Sequence, residues 1–186
     1  RRGVVPVRLE QRFGICAFDN QAEWFGRELV KADEAGLARG NGFLRSIEPR
    51  GGTELGPGLK AGLEALAQRG ESPRAGVVVI ITAGQVGQES EIMTILQQRL
   101  GDSRVFTVGI ETAVNEAFLK RAASLGGGTS AFCVPGAGLE DALRGISREI
   151  GDPVVTDLSI EGVNEPAPEG LADLFEGRAA TVFFKA

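Results

Sequence analysis

Gly76-Val77-Val78-Val79-Ile80-Ile81-Thr82-Ala83-Gly84-Gln85-Val86-Gly87 is an apolar run that passes directly into a polar, glycine-containing turn. Five consecutive β-branched residues without polar alternation predict a strand buried on both faces, the habit of a parallel sheet held between helices. The turn after such a strand is where α/β proteins place function. Downstream the grammar repeats. Ile92, Ile95, Leu96 and Leu100 fall at helical spacing, Val105 to Ile110 forms a second apolar run, and Val114, Phe118, Ala122 and Leu125 make another stripe. Gly126-Gly127-Gly128 closes that helix, Ser130 to Val134 reads as a third strand, and Leu139, Leu143, Ile146 and Ile150 mark a final helix. Strands alternating with amphipathic helices predict right-handed crossovers and a doubly wound, mostly parallel α/β sheet flanked by helices.

Upstream of the quoted stretch the pattern is less regular. Arg12 to Phe18 reads as a short strand ending at Asp19-Asn20, and Glu23 to Val30 as an edge strand with polar residues toward water. Gly36, Gly40 and Gly42 weaken any helix before Ile47. Leu55, Leu59, Leu63 and Leu66 restore one, after the loop Pro49 to Glu54. Past Ile150, the segments Val154 to Ile160 and Ala180 to Phe184 read as two strands outside the main sheet, joined by a span that Pro166 and Pro168 interrupt. The expected organisation is therefore one domain over residues 1–150 and a β tail over 151–186.

Composition narrows the chemistry. With 186 residues, 42% of them hydrophobic, the chain can bury a sizeable core. Its 27 glycines fall at strand ends and helix caps and form no low-complexity tract. A net charge of −5 without basic clustering argues against a nucleic-acid partner, and no apolar run reaches the length of a membrane span. The absence of His excludes a His-based zinc site, a Ser-His-Asp triad or a His general base within these residues. Cys16 and Cys133 lie among apolar neighbours on separate strands, where cysteine acts as a small hydrophobe, and the strand order keeps them from a disulfide. Gly51 to Gly58 precedes a helix but matches no P-loop or dinucleotide fingerprint. Glu89, Glu91, Glu140 and Asp141 sit where carboxylates complement helix N-termini, and no catalytic carboxylate pair emerges.

Four segments, Phe13 to Asp19, Pro49 to Leu55, Val79 to Gly87 and Arg104 to Ile110, together resemble a von Willebrand factor type A domain. The likeness is greatest to bacterial relatives of the inter-alpha-trypsin inhibitor heavy chains, which join a VIT domain to a type A domain. It spans roughly Arg12 to Ile150, and residues 151–186 resemble the tail that returns to a neighbouring β domain in that group. The resemblance implies a protein-interaction or adhesion module without enzymatic activity. It also implies a metal-ion-dependent adhesion site built from an Asp-x-Ser-x-Ser loop, a Thr and an Asp, of the oxygen-ligand kind that suits Mg²⁺.

Here Thr53 matches the Thr, Ala83 stands where the family shows Asp, and Asp-x-Ser-x-Ser occurs nowhere in the chain. The metal site is thus expected to be degenerate, with no resident cofactor, and Mg²⁺ enters only if an Asp-x-Ser-x-Ser segment precedes Arg1. Thr53 alternatively caps the helix carrying Leu55 and Leu59. The family's first strand and helix have no counterpart before Phe13. In the family's order that strand lies between Phe13–Phe18 and Val77–Ile81, so an upstream segment, Val4 to Val7 or a partner strand is expected to complete the sheet. A protein partner is expected on the loops at the strands' C-terminal ends, at Asp19, Asn20, Thr53, Glu54, Gly84, Gln85, Glu111 and Thr112. The alternative from another class is a Rossmann-type enzyme domain binding a nucleotide or small molecule at the same edge.

Overall fold

The computed structural model describes residues 11–26, 28–48, 51–52, 54–68, 76–83, 85–111, 114–134, 138–150, 164–167 and 183–185. Three parallel strands organise the larger half: β5 (Val77–Thr82), β6 (Arg104–Ile110) and β7 (Ser130–Cys133), in the order β5-β6-β7. Val77 pairs with Arg104 and Thr82 with Gly109, then Thr107 with Ser130 and Ile110 with Cys133. Parallel neighbours require crossovers, and helices supply them. They are α3 (Glu89–Arg99) between β5 and β6, α4 (Glu116–Leu125) between β6 and β7, and α5 (Leu139–Glu149) after β7.

The helices cover the two faces unequally. On one face α2 (Leu55–Ala67), α3 and α4 bury Leu59, Leu63, Ile92, Leu96 and Phe118 against Ile80 and Val105. On the other, Ile146 of α5 packs on Phe106 and Val108. Strand β6 is consequently buried on both faces, as its near-continuous apolar sequence requires. Its polar Thr107 is satisfied inside the core, donating to the Ser130 hydroxyl at 2.8 Å and lying 3.3 Å from the Leu119 carbonyl.

The smaller half departs from the sequence reading. Arg12 to Phe18 is two strands, β1 (Arg12–Phe13) and β2 (Cys16–Phe18), and the expected edge strand Glu23 to Val30 is likewise split, into β3 (Ala22–Trp24) and β4 (Val30–Lys31). They form two antiparallel ribbons, β2 with β3 and β1 with β4. Gly14 and Gly26 fall at the two breaks, where a strand loses side-chain packing. Helix α1 (Glu34–Ser46) forms in spite of its glycines. Asp33 caps it by accepting from the Gly36 N–H at 2.8 Å, and Gly36 is required for close approach, since a Cβ there would lie 2.0 Å from the Lys31 carbonyl oxygen. A small aromatic cluster anchors the helix, with Phe13 stacked on Phe25 at 5.7 Å and Phe25 tilted on Phe43 at 5.9 Å.

Beyond Ile150 the described residues form one antiparallel pair, β8 (Asn164–Ala167) with β9 (Phe183–Lys185), separate from the other sheets. The expected strand Val154 to Ile160 lies outside the described residues. Strand β8 instead includes Pro166, which a short two-stranded ribbon tolerates because it leaves edge positions without a ladder partner. Among the described residues no helix is long and apolar enough to cross a membrane.

Candidate functional site

Two turns and a helix start converge at the C-terminal end of β5. After β2, Asp19 folds its own turn: its carboxylate accepts from the Gln21 N–H at 2.8 Å, and its carbonyl accepts from the Glu54 N–H at 2.7 Å. That second bond fixes the loop before α2 against the loop after β2. Gly52 makes the approach possible. Its φ is +93° and a Cβ there would fall 1.9 Å from the Asn20 side-chain oxygen, so a larger residue is excluded both by backbone conformation and by space.

Asn20, Glu54 and Gln85 then line one open cleft of about 260 Å³, completed by Gly56, Gly87 and Gln88. Glu54 is the N-cap residue of α2, a place the sequence reading gave to Thr53, and its side chain makes no capping bond. Gln88, the N-cap of α3, holds a left-handed φ of 55°, and Glu111 at the end of β6 has φ 114°. Such conformations cost a non-glycine residue of order 1–3 kcal/mol. Both outliers stand at strand-to-helix turns on this edge. Nearby, Asn115 caps α4 by accepting from the Phe118 N–H at 3.1 Å and donates to the Glu89 carboxylate, so the starts of α3 and α4 are joined.

Of the residues singled out from sequence, Asp19, Asn20, Glu54 and Gln85 are brought together here. Glu111 is exposed on the same edge, bonded through its N–H to the Cys133 carbonyl, but does not line the cleft. Thr53, Gly84 and Thr112 lie outside the described residues. Gln88 was missed. Its signal, a glutamine one residue past Gly87 and just ahead of a carboxylate-rich helix start, was present in the sequence but carries no turn preference of its own.

Among its described lining residues the cleft carries one carboxylate, Glu54. Ala83 is exposed at the end of β5, and among the described residues no three Cys, Asp or Glu side chains are grouped to hold a metal. Glu89 and Glu91 are engaged otherwise, Glu89 with Asn115 and Arg121 and Glu91 with Lys60 at 3.0 Å. The two cysteines are unpaired thiols on different sheets. Burial pushes the Cys16 thiol up to about 11 from an ordinary 9.0, against a smaller opposing effect of a backbone hydrogen bond from Glu23.

Comparison with known proteins agrees with this architecture. Residues 8–132, more than half of the chain, match the model of the von Willebrand factor type A domain, and the chain belongs to that family. A curated relative, inter-alpha-trypsin inhibitor heavy chain H3 of Pongo abelii, is 21% identical over 165 residues, covering 83% of this chain and 19% of its own length. Among solved structures, a von Willebrand factor type A protein from Catenulispora acidiphila superposes with a TM-score of 0.69 at 19% identity, over 78% of this chain and 35% of that one. Proximal thread matrix protein 1 from the mussel byssus gives a TM-score of 0.51 at 18% identity, over 73% and 34%. The chain thus spans about a fifth of the curated relative and about a third of these solved ones.

Proposed function

We propose that this chain is a protein-interaction module without enzymatic activity, whose partner docks on the loop edge through a metal site reduced to its neutral remnants. The observation that carries the reading is the single cleft formed by Asn20, Glu54 and Gln85, fixed by the bond from the Glu54 N–H to Asp19 and flanked by strained Gln88. Of the ligand set expected of the family, the third-loop carboxylate position is Ala83 in this sequence and the second-loop Thr is Thr53. Thr53 alone, a neutral hydroxyl, does not offset the reluctance of Mg²⁺ to shed water. In this reading residues 1–150 are the binding domain, and residues 151–186 are a tail belonging to an adjacent β domain.

Calorimetric titration with Mg²⁺ and Mn²⁺ should show no binding in the low micromolar range; such binding, abolished by Thr53→Ala, would overturn the degenerate site. A thermal-shift screen with nucleotides addresses the enzyme alternative, because a ligand at 100 times its Kd stabilises by about 2.7 kcal/mol. For the docking edge, Glu54→Lys and Glu111→Lys should each weaken capture of a cognate protein, whereas Gln97→Lys on the outer side of α3 should not. The reverse pattern refutes the loop-edge site.

A further inference from the structure

Helix α1 carries the dipeptide Asn41-Gly42 in its interior, outside the loop-edge cleft. An asparagine followed by glycine is the pair whose carboxamide is most open to attack by its own main chain, because glycine leaves the following nitrogen unshielded. Asn41 is exposed, and its carboxamide makes no hydrogen bond among the described residues. Gly42 is exposed as well, and beyond the helix backbone no atom lies within 4 Å of where a Cβ would stand. Asn115 differs on both counts: Glu116 follows it, and its carboxamide is held by the Phe118 N–H and the Glu89 carboxylate.

Helical backbone blocks the reaction while it lasts. Inside α1 the Gly42 N–H is directed four residues back, to the Ala38 carbonyl, which holds the Gly42 nitrogen away from Cγ of Asn41. Yet α1 is weakly held. Its buried residues are Gly36 and Gly40, neither of which has a side chain to bury, and Phe43 is only half-covered. Gly36, Gly40 and Gly42 each favour the unfolded backbone over the helix, and the first turn depends on the Asp33 cap.

We propose that Asn41 is a deamidation site gated by the opening of α1. In the open segment the Gly42 main-chain nitrogen attacks Cγ of Asn41. The N–Cγ bond forms, the Cγ–Nδ2 bond breaks, and ammonia leaves with the proton that the Gly42 nitrogen gives up. Water then opens the cyclic imide at either carbonyl, without any change of oxidation state. Cleavage at the former side-chain carbonyl gives aspartate, and cleavage at the main-chain carbonyl gives isoaspartate. Isoaspartate inserts an extra main-chain carbon between residues 41 and 42, so the i→i−4 ladder cannot be rebuilt across it and α1 stays broken.

To test this, the full chain is incubated in mildly alkaline buffer and digested with trypsin, which releases Gly40 to Arg45. A synthetic peptide of that sequence, too short for a stable helix, gives the ungated rate. Mass spectrometry reads conversion at Asn41, and an isoaspartyl methyltransferase assay detects the rearranged product. Asn41 should convert in the folded chain, more slowly than in the peptide, while Asn115 stays intact. Asp33→Ala, which removes the cap, should speed conversion about fivefold, since so slow a reaction tracks the open population. Gly42→Ala should nearly abolish it. Conversion in the folded chain as fast as in the peptide would overturn the gate, as would equal rates in the parent and Asp33→Ala chains. An intact Asn41 in both folded chains after the peptide has fully converted would overturn the site. If a circular dichroism melt shows that Asp33→Ala does not fold, urea below the unfolding transition of the parent chain replaces it. Conversion should then rise in step with hydrogen exchange at the Gly42 amide, and exchange that rises without conversion overturns the proposal equally.

Discussion

Strand β6 and the β2–β3 ribbon belong to one molecule but are held by different physics. Every interior residue of β6, from Val105 to Gly109, is buried between α4 on one face and α5 on the other. Nothing in β2 or β3 is fully buried; Cys16, Ala17 and Phe18 are all half-covered, and α1 is tied to the ribbons by a few aromatic rings. Closely packed interiors lose both transfer energy and cavity energy on truncation, whereas half-exposed clusters can relax. Stability is therefore concentrated in β5-β6-β7 and its helices, and the half carrying β1 to β4 is expected to open first.

The comparison is tested most severely by Phe106→Ala, which removes a fully buried ring and should cost about 3–5 kcal/mol in denaturant unfolding. Phe25→Ala, in the aromatic cluster, should cost about 1–2 kcal/mol. Equal losses would erase the distinction between the halves. Next, Gly36→Ala should destabilise by about 1–3 kcal/mol, because its Cβ meets the Lys31 carbonyl, whereas Gly42→Ala in the same helix meets nothing within 4 Å and should stabilise by roughly 0.4–1 kcal/mol. Two changes of the same sign would show that propensity and not packing governs α1. Asp33→Ala, which removes the cap, should cost about 1 kcal/mol.

A smaller effect is expected from pH. The Cys16 thiol is raised in the folded state, so its contribution to stability is fully present below pH 9 and is lost as pH climbs from about 9 toward about 11. Unfolding measured over that window should show a decline that Cys16→Ala lacks. Smallest of all, Glu54→Lys should shift stability by no more than about 0.5 kcal/mol, since the side chain is exposed and makes no capping bond.

The regular half was legible because its signals are local and strong. Val105 to Ile110 is apolar but for Thr107 and is buried on both faces, and the stripes Ile92-Ile95-Leu96 and Phe118-Ala122 fix which helix faces turn inward. Val77 to Ile81 is apolar throughout and forms the expected strand, but not one buried on both faces, since Val79 and Ile81 stay exposed. The other half was not legible in the same way. Helix propensity counted Gly36 and Gly40 against α1, yet Gly36 is buried where the Lys31 carbonyl leaves no room for a side chain, and Gly40 is buried against the Phe13 ring, which a Cβ would approach to 3.1 Å. Likewise, Glu23 to Val30 carries strand-like residues on either side of Gly26, but only the pairing with β2 and β1 reveals two short ribbons. Of the candidate site, Asp19, Asn20 and Gln85 were legible from their positions just past strands and Glu54 from the loop that leads into α2, while Gln88 needed its left-handed backbone to be seen.

By itself, then, the sequence determined the alternating α/β order and the absence of histidine chemistry within these residues, since each depends on residue type or short-range periodicity. Tertiary structure alone decided which loops share a cleft and that Glu54 and not Thr53 is the N-cap residue of α2. Those facts depend on close approach between segments distant in sequence, such as the Glu54 N–H to the Asp19 carbonyl, and no local propensity encodes a distance across the chain.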